Sequence, residues 1–141
     1  MNGSLVSLFF VFFSGARVVC ANRVTLSKMS NASHPGFIKA PFEKYISDIC
    51  NDDTSIRNMG DAGWCIWCQN GDTQCYAWHN DKVEKSVPTN TMKDGDSFVF
   101  RIDFPRRVCE VSHNGRSLGV VFENVCSELQ PAISNFSLNL Y

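Results

Sequence analysis

The sequence of 141 residues has no apolar run long enough to cross a membrane as a helix. The longest run, residues 5–13, falls well short of the ~20 residues that a spanning helix needs. A basic patch is also missing, since 13 Lys and Arg stand against 14 Asp and Glu, a net charge of −1. Nucleic-acid-binding domains usually show a basic face. These absences predict a protein with no transmembrane segment and no nucleic-acid partner.

Catalytic motifs are missing as well. No serine or cysteine stands in a nucleophile elbow such as G-x-S-x-G. The glycines Gly60, Gly63, Gly71 and Gly95 are isolated and form no phosphate-binding loop. His113 stands beside an Asn-Gly pair, where a histidine is expected to be a solvated hairpin residue. We therefore predict that the protein is not an enzyme and needs no cofactor.

Cysteine is plentiful, but its pattern is not that of a disulfide framework. An odd number at irregular spacing does not close into pairs. A reduced cysteine also behaves as a small buried apolar residue. The pattern favours reduced core cysteines in a cytoplasmic protein. The seven cysteines are Cys20, Cys50, Cys65, Cys68, Cys75, Cys109 and Cys126.

The N-terminal apolar segment, residues 1–21, has two interpretations that the sequence leaves open. A signal peptide would be cleaved before Asn22 and would make the protein secreted, although no Lys or Arg precedes the apolar run. Alternatively, residues 9–13 and 17–21 are two buried strands joined by a Ser-Gly-Ala turn, because a short apolar run bounded by a turn is typical of a buried strand.

Residues 22–59 form a less regular region. The residues at 31–36 (NASHPG) predict a loop. Residues 41–49 place apolar side chains at helical spacing behind Pro41, which is a favourable first residue of a helix. We expect a short amphipathic helix there.

From residue 60 onward the pattern is that of antiparallel strands. Apolar residues 64–68 and 74–79 flank an Asn-Gly-Asp turn and predict a hairpin. In residues 97–103, Phe98, Phe100 and Ile102 share one face, while Arg101 and Asp103 are expected on the other.

A second hairpin follows around Asn114 and Gly115. An Asn-Gly pair between apolar strands is a strong hairpin signal, because both central residues of a type I′ turn need positive φ. Residues 107–112 and 118–122 supply the strands, and residues 136–140 alternate like one more. Short strands with turns about every ten residues indicate an all-β, two-sheet antiparallel β-sandwich.

Over residues 60–141 the chain resembles a SPRY domain. Residues 92–103 (MKDGDSFVFRID) are similar to the strand that a Gly-Asp pair opens in that family. Residues 108–122 (VCEVSHNGRSLGVVF) resemble the following hairpin, and residues 128–134 (ELQPAIS) resemble the closing segment. Where the family has Ser-Trp-Gly, this chain has Gly63-Trp64-Cys65, and the family's early Tyr-Trp-Glu strand is not recognisable. If residues 9–21 are a remnant of the early strands, the domain is truncated at its N-terminus.

The resemblance implies a protein-interaction module without a catalytic centre. Loops at one end of such a sandwich bind a short segment of a partner protein, in some cases as substrate recognition for a ubiquitin ligase or in a signalling assembly. The resemblance matches Trp78 to an aromatic residue that lines the peptide pocket in some members. The residues that we predict to contact a partner protein or peptide are Asp61, Trp67, Trp78, His79, Asn80 and Arg106.

The cysteine-rich stretch supports an alternative function. Cys65 and Cys68 match a Cys-x-x-Cys redox motif, and with Cys75 and His79 they offer the ligands of a Cys₃His zinc site. On a β-strand, however, Cys65 and Cys68 face opposite sides, and a turn rather than a helix follows them. We therefore predict no metal, and keep a zinc or thiol-redox protein and a small secreted effector as the alternatives.

Overall fold

The structure is a computed structural model that describes residues 5–14, 17–26, 33–39, 43, 55–126 and 128–135. The described strands form two five-stranded sheets, in which hydrogen-bonded neighbours are antiparallel. The all-β sandwich predicted from the sequence is confirmed. The strands are β1 (Leu5–Ser14), β2 (Arg17–Leu26), β3 (Ser33–Lys39), β4 (Gly63–Trp67), β5 (Gln74–His79), β6 (Lys82–Pro88), β7 (Ser97–Asp103), β8 (Val108–His113), β9 (Arg116–Phe122) and β10 (Leu129–Asn135).

Sheet I has the strand order β1-β2-β7-β8-β9, and sheet II has the order β10-β3-β4-β5-β6. Two short 3₁₀ helices, η1 (Ile56–Asn58) and η2 (Gly60–Ala62), precede β4. Of the first three strands, β1 and β2 therefore lie in sheet I and β3 lies in sheet II. Among the residues described, no helix is long and apolar enough to cross a membrane.

The core lies between the two sheets and follows from strand alternation. Phe98, Phe100 and Ile102 of β7 are at most 1% exposed and face sheet II. Phe100 meets Phe37 of β3 edge to face, with ring centroids 5.1 Å apart, a favoured geometry for aromatic pairs. Trp64 and the other inward residues of β4 complete the same cluster.

Most of the N-terminal apolar segment forms two strands in this structure. β1 and β2 pair over their whole length, from Leu5 opposite Leu26 to Ser14 opposite Arg17. β2 in turn pairs with β7 in sheet I. The structure therefore agrees with the strand interpretation, but both strands are longer than predicted: 5–14 instead of 9–13, and 17–26 instead of 17–21.

Of the two predictions for residues 22–59, the structure contradicts one and leaves the other outside the described residues. The loop expected at 31–36 is wrong for its described part, because Ser33–Lys39 is a strand between β4 and β10. Gly36 permits this pairing, since a Cβ there would collide with the backbone carbonyl of Trp64. The helix expected at 41–49 lies outside the described residues except for Glu43, as does the strand expected at 136–140.

Both predicted hairpins are present. β4 pairs with β5, and β8 pairs with β9 through a turn in which Asn114 and Gly115 have φ of 48° and 84°. β6 was not predicted because its charged, exposed residues carry no apolar alternation.

Two side chains at the strand ends are buried against expectation. Asp103 was expected to point away from the core but is 5% exposed, because the following turn folds back and the Arg106 amide donates to its Oδ1. His113 was expected to be solvated and is 1% exposed, because its Nε2 donates to buried Asp96 and its ring stacks on Phe98.

Candidate functional site

The β4–β5 hairpin places three aromatic side chains, Trp67, Tyr76 and Trp78, on the outer face of sheet II. Alternation sends Cys75 and Ala77 into the core and leaves Tyr76 and Trp78 half-buried outside. Trp67 stands opposite Tyr76 and diagonal to Trp78 in the register. Diagonal neighbours are within reach of aromatic rings, and the two indole centroids are 6.5 Å apart.

Helix η1 covers part of this face and brings a cation to it. The Ser55 side chain accepts a hydrogen bond from the Arg57 amide and caps the helix. Ile56 is buried against Ile38 and Cys65 of the sheet, a small second core that Met59 and Trp78 flank. This packing anchors η1 to the outer face of sheet II.

The Arg57 guanidinium consequently lies over both indoles. Its Cζ is 4.8 Å from the Trp67 ring centroid and 5.1 Å from that of Trp78. Cations over indole faces are attracted by the ring quadrupole. We call Arg57, Trp67 and Trp78 the Arg–Trp cluster. Arg57 was not among the predicted residues, because only the folding of η1 over the sheet brings it to the tryptophans.

A corner of polar backbone and side chains borders the cluster. It consists of η2 with Asn80 and Asp81, which turn the chain from β5 into β6 with φ of 55° and 60°. The Asn80 amide donates to the Gly60 carbonyl, and the Gly60 amide donates to Asp81 Oδ1, each at 3.1 Å. The two chain segments thereby hold each other in place. We call this the η2 corner.

Asp61 of the η2 corner is exposed and forms an ion pair with Lys39 of β3 at 2.8 Å. The hydrogen bond and the charge of Lys39 lower the pKa of the Asp61 carboxyl. The predicted residues Asp61, Trp67, Trp78 and Asn80 thus belong to the cluster and the adjoining corner. Lys39 was not among the predicted residues.

His79 belongs to the same region but points into the protein. The residue is 7% exposed, and its ring stacks on Trp64, with centroids 4.3 Å apart and planes 10° apart. Its Nδ1–H donates to the Gly63 carbonyl at 2.7 Å. These contacts give His79 a supporting role beneath the corner.

Arg106 contacts its own turn. Its guanidinium is 3.9 Å from Asp103 Oδ2, and its backbone amide donates to the other oxygen of the same carboxylate. The structure gives no contact that joins Arg106 to the η2 corner among the residues it describes.

The cysteines of the alternative function are buried and divided between two packing regions. Cys65 packs in the small second core, whereas Cys68 and Cys75 lie in the main core. Burial raises the pKa of all three thiols, that of Cys75 to about 12. Within the described part of the chain, no group of three or more Cys, His, Asp or Glu is placed to hold a metal ion.

Solved structures with a similar fold include a SPRY domain. The chain is similar to the SPRY domain of human HERC1, with a TM-score of 0.52 and 13% sequence identity, over 96% of this chain and 92% of that one. The chain has a SPRY-like fold. The structural similarity extends beyond residues 60–141, to which the sequence resemblance was limited. No protein-family model matches the sequence, and no curated protein matches it.

Proposed function

We propose that this SPRY-like domain is a protein-interaction module, and that the Arg–Trp cluster with the η2 corner binds a short segment of a partner protein. The observation that carries the proposal is the half-buried tryptophan pair fixed beneath one guanidinium. Trp and Arg are enriched among the residues that dominate binding energy at protein interfaces. Here the two types lie together on a defined face.

The surroundings of the cluster support this role. Val83 of β6 stands opposite Trp78 in the register and is 41% exposed, more than any other large apolar side chain that the structure describes. Trp67, Tyr76 and Trp78 are half-buried on the neighbouring strands β4 and β5. Together they extend the apolar area from η1 to the edge of sheet II, a width that suits an extended segment.

The corner supplies polar groups that would orient such a segment. Asn80 is exposed and presents its side-chain amide, and Asp61 presents a carboxylate that is held by Lys39. His79 would act through the fold, by supporting the turn that carries Asn80. Arg106 remains a predicted contact that requires its own test.

The proposal also includes the setting in which the domain works, which the fold alone does not show. Recognition of substrates for a ubiquitin ligase or in a signalling complex, a cytoplasmic location and the lack of enzymatic activity are inferences from the SPRY-like architecture. The buried cysteines of raised pKa make the zinc or thiol-redox alternative the weaker hypothesis, since a reactive or ligating cysteine must be a thiolate.

Affinity capture with quantitative mass spectrometry tests the proposal. The baits are the unmodified chain, Trp78→Ala, Asn80→Gly and Arg106→Ala. Asn80→Gly keeps the positive φ while removing the side chain. Arg116→Ala is the matched control, because Arg116 is exposed and contacts Asn90 beyond the other end of β5.

We expect one set of proteins to be retained by the unmodified chain and Arg116→Ala and reduced with Trp78→Ala and Asn80→Gly. If the captured proteins were lost only with the Arg106→Ala bait, the binding surface would lie at the β7–β8 turn instead. Because Trp78 flanks the small second core, every bait is first compared by urea unfolding, and only baits that are folded under the capture conditions are interpreted.

A further inference from the structure

Cys68 and Cys75 stand opposite each other on the two chain segments of the β4–β5 hairpin. The last pair of the β4–β5 ladder is Trp67 opposite Tyr76, and the next residue on each segment is a cysteine. Both cysteines are buried in the main core between the sheets. Their side chains therefore share the inner face of sheet II, whereas the aromatic side chains of the preceding pair lie on the outer face.

Backbone hydrogen bonds define the geometry of this cysteine pair. Cys68 donates to the Ser33 carbonyl at 2.8 Å and accepts from the Ser33 amide at 2.7 Å, so its polar backbone groups point to β3 and away from β5. Thr73 accepts from the Thr89 amide on the side of β6, and Cys75, two residues later in the same extended segment, directs its backbone groups to the same side. Cys68 and Cys75 thus form a non-hydrogen-bonded pair.

A pair of this type has the spacing that a disulfide requires. Directly opposite residues of a non-hydrogen-bonded antiparallel pair have Cα atoms about 4.5 Å apart, and disulfides join Cα atoms about 4.4–6.8 Å apart. Cys65 is less suited to either cysteine, because it lies on the other face of the sheet in the small second core.

The folded hairpin closes the cysteine pair off from solvent. The Gly71 amide donates to the Met92 carbonyl at 2.8 Å, and the Met92 amide donates to the Asp72 carbonyl at 2.7 Å. Burial also raises the pKa of the Cys68 and Cys75 thiols, so that few thiolates are available at neutral pH. Because the thiolate is the species that reacts with a disulfide, the pair must react before the core closes around it.

We propose that Cys68 and Cys75 form a disulfide across the β4–β5 hairpin when the chain folds in the presence of a small-molecule disulfide, such as oxidised glutathione. One cysteine thiolate attacks a sulfur of the oxidant, which gives a mixed disulfide and releases one glutathione thiol. The second cysteine thiolate attacks the protein sulfur of the mixed disulfide and releases the other glutathione thiol. The protein thiols lose two electrons and two protons, and the two glutathione thiols gain them. This inference is independent of the proposed function.

Mapping of the linked peptides tests the proposed pairing. The full chain is refolded from urea in a fixed mixture of reduced and oxidised glutathione, quenched with acid, alkylated at its remaining thiols and cleaved before each aspartate. Asp72 separates the two cysteines, so that they fall in peptides 61–71 and 72–80. We expect these two peptides to be linked, with fragmentation showing an alkylated Cys65. Linkage of Cys75 to another cysteine, or no linkage in the folded chain, would overturn the inference.

A second measurement separates the effect of the fold from that of closeness in sequence. Cys68 and Cys75 are near neighbours in the chain and can also pair when it is unfolded. The same linkage is therefore measured at equilibrium with and without urea, starting from the reduced and from the oxidised chain. We expect the equilibrium constant to be ~10-fold or more higher in the folded chain, a factor that is usual for a disulfide suited to its fold. An equal or lower constant in the folded chain would overturn the inference.

Urea unfolding of the oxidised and reduced forms provides the matched comparison of variants. Oxidation should raise the urea midpoint of the unmodified chain and of the control Cys126→Ser, and should leave the midpoint of Cys75→Ala unchanged. Cys68→Ala replaces Cys75→Ala if the latter does not fold. A rise that persisted in either alanine variant would assign the effect to another pair of cysteines, and no rise in a chain that carries the linkage would show that the fold does not favour the bond. Either result would overturn the inference.

Discussion

His113 Nε2 donates a 2.7 Å hydrogen bond to Asp96 Oδ2, and the two side chains are 1% and 3% exposed. Asp96 also accepts from the Asn114 side-chain amide at 2.9 Å and from the Lys93 backbone amide at 3.0 Å. The carboxylate thus joins the loop before β7 to the turn between β8 and β9. Burial opposes its ionisation, but the hydrogen bonds outweigh that cost and the pKa of Asp96 is lowered.

This network predicts how stability depends on pH. A carboxyl whose pKa is lower in the folded than in the unfolded state adds stability above its ordinary value of 3.8, and this stability is lost as pH falls through the folded value. Asp96→Asn should therefore unfold more easily at pH 7, by about 1–3 kcal/mol, and should lose less stability than the unmodified chain between pH 5 and pH 3.

Urea unfolding at the two pH values measures both effects. Glu128→Gln is the control, since Glu128 is an exposed carboxylate. An equal loss of stability on acidification in the unmodified chain and in Asp96→Asn would show that the network does not contribute to the pH dependence.

Replacement of either of two glycines by alanine should destabilise the fold, for a different physical reason at each position. Gly36 has no positive φ, but a Cβ would collide with the Trp64 backbone in the neighbouring strand. Gly36→Ala should therefore cost about 3 kcal/mol or more of unfolding free energy. Gly115 has a φ of 84° and open space around it, so that Gly115→Ala should cost only about 1–2 kcal/mol. Thermal unfolding checks the order, and a larger effect at Gly115 would contradict the close pairing of β3 with β4.

We expect His79 to stabilise the fold and not to contact the partner directly. His79→Phe retains a ring against Trp64 but leaves the buried Gly63 carbonyl without the Nδ1–H donor. We expect a loss of about 1–3 kcal/mol in unfolding free energy. His79→Ala should cost more, because it also removes the stacking. If both variants kept full stability while losing a captured partner, His79 would contact the partner directly.

The thiols should differ in reactivity at neutral pH. Cys65, Cys68 and Cys75 are buried and have raised pKa values, whereas Cys126 is partly exposed. Brief alkylation of the native chain, mapped by mass spectrometry, should label Cys126 and leave these three unmodified until urea is added. Rapid labelling of Cys65 or Cys68 in the native state would restore the redox hypothesis.

Most strands of the two predicted hairpins and of β7 could be predicted because the local signals agree with the fold. Phe98, Phe100 and Ile102 alternate with mostly polar residues, and Asn114 with Gly115 supplies the turn. The alternation in β5 likewise separates Tyr76 and Trp78 from the buried Cys75 and Ala77. Such patterns need only neighbouring residues and the period of a strand.

The missed features depend on strand pairing or on packing between segments, neither of which leaves an apolar pattern in the local sequence. β6 is exposed and charged, so its pairing with β5 leaves no apolar pattern. The burial of His113 depends on Asp96, which approaches from the preceding loop. The position of Arg57 depends on Ile56 packing against β3 and β4. A sequence pattern contains no direct record of these contacts.

Photo-crosslinking tests most directly whether the Arg–Trp cluster and the η2 corner bind the partner. A photoreactive amino acid replaces Lys82, which follows the corner, or in a parallel sample Arg116; both residues are exposed. We predict that irradiation in lysate crosslinks a defined protein to the Lys82 position, that Trp78→Ala reduces this product, and that the Arg116 position gives none. The same product at both positions, or only at Arg116, would contradict binding at the cluster and the corner.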